Sequence, residues 1–153
     1  MANFRFNKLL KLRETERNEA KNAFLDAQSL RHDAERRLAE IDAQLEAERA
    51  DTRRAREVGA IGALELQHRQ RFRERLLAER AEAHSRLDAL AQDAESKRAK
   101  LNDAIKEVKI LENLKDKTLE RELEDAKRRD EKASDDLANQ LESVERQRLA
   151  KEG

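Results

Sequence analysis

Gly59-Ala60-Ile61-Gly62 holds two of the chain's three glycines, and no proline occurs anywhere in its 153 residues. Glycine is the residue, short of proline, that most weakens a helix interior. A pair of glycines three positions apart, between two flanks of strong helix formers, therefore marks a break. Counting outward from that break, helix one is expected at about 6–58, the tip at 59–62 and helix two at about 63–151. At ~1.5 Å per residue these are roughly 80 Å and 130 Å long. Asn3 or Asn7 is placed to cap the first helix, whereas only Gly62 stands at the capping place of the second. Composition agrees: 44% of the chain is charged, 37% is apolar, and 24 of the apolar residues are alanine. Ala, Leu, Glu, Lys and Arg make up about two thirds of the chain, more than the roughly half that signals a coiled coil. Large apolar side chains are too few for an ordinary globular core.

Helices this long need a partner, because isolated helices are marginal in water. In the first helix a 3,4 spacing runs Leu10, Arg13, Arg17, Ala20, Phe24, Ala27, Arg31, Ala34, Leu38, Ile41, Leu45, Glu48, Thr52, Ala55. That is a heptad seam. Folding the chain back between Ala60 and Ile61 makes residue i meet residue 121 minus i. The mirrored places are Leu111, Val108, Ala104, Leu101, Lys97, Ala94, Leu90, Leu87, Ala83, Arg80, Leu76, Arg73, Arg69 and Leu66, most of them again apolar. The fold expected is all-α: an antiparallel two-helix coiled-coil hairpin with a longer second helix, one rod over 1–153. In this register Glu48 faces Arg73 inside the seam, a pairing that a one-heptad slip would break. Outside the seam Asp33/Arg37, Asp93/Lys97, Glu124/Arg128 and Asp125/Arg129 have the i,i+4 spacing of helix-supporting ion pairs.

The arms are unequal. Phe6 falls opposite Lys115, and helix two continues alone through Lys151. This overhang has its own stripe, Leu119, Leu123, Ala126, Ala133, Leu137, Leu141 and Val144, offset by one residue from the seam, a stutter near Leu111 to Leu119. A frayed amphipathic tail, self-association or insertion into another protein would each account for it. Charge is uneven although the total is zero. From Arg49 to Arg80, around the tip, nine Arg stand against five Asp and Glu, whereas from Glu112 to Glu145 twelve acids stand against seven bases.

Several classes of function are disfavoured. Without cysteine there is no disulfide, thiolate nucleophile or cysteine metal site. No apolar run approaches the ~20 residues of a membrane span, and Met1 to Phe6 has no signal-peptide core, so the chain reads as cytoplasmic. Glu65-Leu66-Gln67-His68 has Glu-x-x-His spacing, but a di-iron site needs a second copy and two further glutamates in a four-helix bundle. His32 and His84 have no ligand or catalytic partners at suitable spacing, and a two-helix rod has no cleft for a reaction. No phosphate-binding glycine loop is present. An enzyme is not expected, nor a cofactor or metal. Arg53-Arg54-Ala55-Arg56 with Arg69, Arg71, Arg73 and Arg75 is basic but mixed with acids and lacks Trp and Tyr for stacking, so nucleic acid is not an expected partner. Phe4, Phe6 and Phe24 read as packing residues, and Phe72, one step off the seam beside Leu76, as a contact candidate.

The opening Phe6-Asn7-Lys8-Leu9-Leu10-Lys11-Leu12-Arg13-Glu14, the hairpin length and the late segment Asp130-Glu131-Lys132-Ala133-Ser134-Asp135-Asp136-Leu137-Ala138 resemble the FliJ family of flagellar export proteins across essentially the whole chain. The resemblance implies a two-helix coiled coil similar in shape to the central stalk of rotary ATP synthases, with its helical termini entering the hexameric ring of the type III export ATPase. The implied ATPase-facing surface is Arg13 with Arg128, Arg129, Asp130, Asp135, Leu137 and Ala138, and Leu123 on the overhang joins it. Positions nearer the tip, Leu38, Leu45, Phe72 and Leu76, would touch the membrane-embedded export gate. Export chaperones are further implied partners. The implied location is cytoplasmic, peripheral at the inner membrane's cytoplasmic face, with no direct membrane insertion. A cytoskeletal or scaffold coiled coil that self-associates through the overhang stands as the alternative.

Overall fold

A computed structural model describes residues 5–59 and 61–152. They form two helices, α1 (Asn7–Val58, 52 residues) and α2 (Ala63–Glu152, 90 residues), joined by the glycine-bearing connection. The Leu10 amide donates to the Phe6 carbonyl at 2.8 Å. Because the N-cap carbonyl accepts the first intrahelical bond, the cap of α1 is Phe6, with Asn7 inside the helix. Of the residues expected earlier at this end, Asn3 and Phe4 lie outside the described residues. At the other end of α1, Gly59 takes φ +70° and its amide donates to the Arg56 carbonyl at 3.1 Å. This is the left-handed residue that commonly stops a helix, and glycine adopts it without steric penalty. Gly62 opens α2 as expected, its carbonyl accepting from the Leu66 amide at 3.1 Å.

The chain falls into two units, residues 13–106 and residues 1–12 with 107–153. In the first, Ile41, Leu45 and Leu76 form one buried cluster, with Ala83 packed against it. The helices run antiparallel: falling numbers on α1 meet rising numbers on α2, from Glu48 with Arg69 to Asp42 with Arg80. Ala27, Ala34, Thr52 and Ala94 are the other buried residues of this unit. All of them are seam positions, so the 3,4 spacing identifies the face that packs. Each fully buried Leu or Ile contributes on the order of 1.5–3 kcal/mol, and each alanine less.

The polar pairing differs from the expected one in its details. Glu48 pairs with Arg69 at 3.7 Å instead of with Arg73. The reason lies in its neighbour: the buried Thr52 hydroxyl donates to the Glu48 carboxylate at 3.0 Å, drawing it one turn toward the tip. The mirror of Thr52 is Arg69, so the register is kept and the pair is diagonal within it. Arg80 leaves the seam for the exposed flank, where its Nε donates to Asp42 at 2.6 Å. Asp33 pairs with Arg36, while Arg37 reaches Glu40 at 3.7 Å and, across the helices, Glu79 at 3.5 Å. The Asp93–Lys97 pair forms at 2.9 Å. Arg129 instead donates to the backbone carbonyl of Asp125, at 3.4 Å.

In the second unit Leu10 and Val108 are buried, and Leu111 is half-buried. Every residue from Leu123 to Glu152 is exposed. This stretch has no packing to hold it helical, so local terms carry it: strong helix formers and i,i+4 pairs such as Glu142–Arg146 at 2.9 Å and Arg148–Glu152 at 3.8 Å. Such pairs add about 0.2–0.5 kcal/mol each.

Candidate partner-binding surfaces

Within residues 107–153 the candidate surface is a helix face. Leu123, Leu137, Leu141 and Val144 are between 58% and 70% exposed, and Leu149 is 65% exposed. Position 137 is fourteen residues beyond 123, two heptads, so these two leucines share a face. Arg128, Arg129, Asp130, Asp135 and Ala138 are all exposed on the same helix. Asp130 and Asp135 line a shallow surface depression with Lys127, Glu131 and Ser134. Apolar side chains flanked by charges of both signs make a surface that a partner helix or groove can cover, with the charges setting its register.

Residues 13–106 contain the other candidates. Arg13 is half-buried and pairs with Glu16 at 2.9 Å. Of the four residues assigned to the gate, Leu45 and Leu76 are 6% and 3% exposed and belong to the core cluster, and Leu38 is half-buried. Phe72, 44% exposed, is the one of the four that presents its side chain to solvent. The seam pattern already foretold this, since Phe72 is the one member of the set that lies off it.

A polar cluster sits in the seam toward the tip. Glu48 accepts from Thr52 and pairs with Arg69, which also reaches Glu65 at 3.3 Å. The Arg69 Nε is buried without a hydrogen-bond partner. Beside it, Arg49, Thr52, Arg53, Arg56, Glu57 and Arg73 line an open cleft of about 470 Å³. Sequence reasoning noted the basic character of this region but not the convergence of arginines from both helices on one cleft, which requires the register to be known. Among the described residues, no group of three or more His, Cys, Asp or Glu is arranged to hold a metal ion. No helix there is long and apolar enough to cross a membrane.

The family model described as Flagellar FliJ protein matches residues 1–147. No curated protein and no solved structure matches the chain.

Proposed function

Since the chain belongs to the FliJ family, and so to the components of the flagellar export apparatus, we propose that it is a non-enzymatic coupling stalk, bound on one side to the export ATPase ring and on another to the membrane export gate. The observation that carries this reading is the uncovered stripe of α2. Thirty consecutive residues from Leu123 to Glu152 remain exposed, and they include leucines at heptad spacing. A ring of helical or grooved surfaces would cover them. The assigned contacts are Leu123, Leu137 and Ala138, with Arg128, Arg129, Asp130 and Asp135 fixing register and Arg13 contributing from α1. Phe72 supplies the exposed aromatic contact for the gate, with Leu38 as the less accessible second. In this reading the energy comes from the partner's ATP.

The test is size-exclusion chromatography with light scattering on this chain, alone and mixed with the export ATPase of the same genome, while ATP hydrolysis is followed. Co-elution with raised hydrolysis supports the stalk. Leu123→Asp combined with Leu137→Asp should abolish co-elution while leaving helicity nearly intact, and unchanged binding by that variant would remove the assigned surface. The same stripe also suits a self-associating scaffold. A concentration-dependent dimer that ignores the ATPase and is lost on replacing Leu119 and Leu123 would establish the scaffold instead.

A further inference from the structure

The tip of the hairpin exposes apolar side chains that the turn itself does not require. Val58, the last residue of α1, is 78% exposed, and Leu64, in the first turn of α2, is 72% exposed. Between them the sequence is Gly59-Ala60-Ile61-Gly62-Ala63, so seven consecutive residues carry neither charge nor a hydrogen-bonding side chain in a chain that is 44% charged. Turns ordinarily use Asn, Asp or Ser, whose side chains satisfy the local backbone. Here Gly59 supplies the left-handed conformation and Gly62 opens the next helix, which leaves the exposed Val58 and Leu64, with the half-buried Ile61, without a role in forming the turn.

Behind this apex stands a collar of arginines, Arg53, Arg54 and Arg56 on α1 and Arg69, Arg71, Arg73 and Arg75 on α2. Among the described residues only Arg69 of these seven forms an ion pair. Of the nearby acids, Glu65 is taken by Arg69 and Glu74 accepts from Gln70 at 3.5 Å. Among the described residues the rest of the collar, with Arg49, forms no ion pair; Asp51 and Glu57 lie among these arginines but leave them in excess, and four of the arginines converge with Glu57 on the cleft described above.

The order along the helices matters more than the charge alone. Apolar groups come first, then one carboxylate on each arm, Glu57 and the Arg69-paired Glu65, and the more numerous guanidinium groups follow. At ~1.5 Å per residue, Arg56, Arg54 and Arg53 start ~3–8 Å behind Val58. A bilayer surface has the same order in depth, acyl chains beneath and lipid phosphates above, and interfacial elements bury their apolar face by ~5–10 Å. We propose that the hairpin tip is a membrane-interface contact, with Val58 and Leu64 seated at the acyl-chain boundary of an anionic phospholipid bilayer and the arginine collar bound to lipid phosphates. The tip enters the interface without spanning it. The proposal departs from the expectation of no direct membrane insertion, which rested on the lack of a long apolar helix, a criterion that a seven-residue apex does not engage. Nucleic-acid phosphates would reward the collar but not the apex. The inference is independent of the ATPase and gate contacts, and its test uses neither.

The chain has no tryptophan, so Leu64→Trp is a single emission reporter at the apex. The full chain carrying it is mixed with vesicles of phosphatidylcholine, with or without about 30 mol% phosphatidylglycerol, and followed by flotation and fluorescence. The expected result is flotation and a blue-shifted emission only with phosphatidylglycerol, both weakening as salt rises. Replacing Arg53, Arg54 and Arg56 together by Gln should lower vesicle affinity on the order of a hundredfold. Val58→Asp with Leu64→Asp should abolish flotation while circular dichroism is unchanged, since both positions are exposed and off the core. No flotation with the anionic vesicles overturns the proposal. So does flotation without a blue shift that survives the double aspartate variant, which is charge adsorption alone. Displacement from vesicles by short duplex DNA at equal phosphate concentration overturns it in favour of a nucleic-acid tip.

Discussion

Residues 13–106 and residues 123–152 are built from the same vocabulary, heptad-spaced leucine and alanine among charged residues, yet the first buries Ile41, Leu45 and Leu76 and the second buries nothing. Amphipathic spacing states that a face needs cover but not what covers it. In the hairpin the cover is the chain itself, because a four-residue break lets a mirrored seam fold back. From Leu123 to Glu152 every residue is exposed, and the stripe there is left uncovered by the first helix.

Charge placed on each stripe breaks this comparison most sharply. Ile41→Asp, at a position 1% exposed, should destabilise the hairpin by roughly 3–5 kcal/mol, since it deletes core packing and buries an unpaired carboxylate. Leu137→Asp should shift the thermal midpoint negligibly, within about 0.5 kcal/mol. Equal losses at the two sites in chemical unfolding would mean that the late stretch packs within this chain after all. Less drastically, Gly59→Ala tests the turn. A Cβ there meets nothing within 4 Å, so only the positive φ resists it, and a loss of about 1 kcal/mol is expected.

The polar pairing in the seam gives a smaller effect. A double-mutant cycle on Glu48→Gln and Arg69→Gln should yield a coupling of about 0.5–1 kcal/mol, limited because Arg69 is partly exposed. The same cycle between Glu48 and Arg73 should give nearly none, and a reversed ranking would shift the register by one turn. Smallest of all, Gly62→Ser supplies a side-chain cap to α2 and should raise stability by a few tenths of a kcal/mol in the same unfolding measurement.

Much of this was legible in the residues. The glycine pair marks the break, and the helix ends differ from expectation by a single residue. The seam lists every buried residue among the described residues, because a helix buries only what its period repeats on one face. Pair identities were less legible. Reflection about a midpoint assigns one partner to each residue, but a side chain in a coiled coil sits in a hole with corners one turn apart. A local bond such as that from Thr52 to Glu48 then decides which corner is used. The capping residue of the first helix differs for a related reason: Asn7 has the better capping chemistry, yet the carbonyl of Phe6 receives the first bond. As for partner surfaces, exposure separates Phe72 from Leu45 and Leu76, but heptad spacing by itself carries no signal for what a stripe docks against.

The seam of the hairpin is narrow and alanine-rich, with Ala27, Ala34 and Ala94 among its buried residues. The heat capacity of unfolding is set mainly by the apolar area newly wetted, and ordinary domains give about 12–15 cal/mol/K per residue. A chain that keeps a thirty-residue helix in water and fills much of its seam with methyl groups should fall below that. Its free energy of unfolding then varies gently with temperature, without the steep curvature that drives compact proteins toward cold denaturation. In a calorimeter such a chain melts over a broad range, losing order from the uncovered helix first and from the Ile41 cluster last.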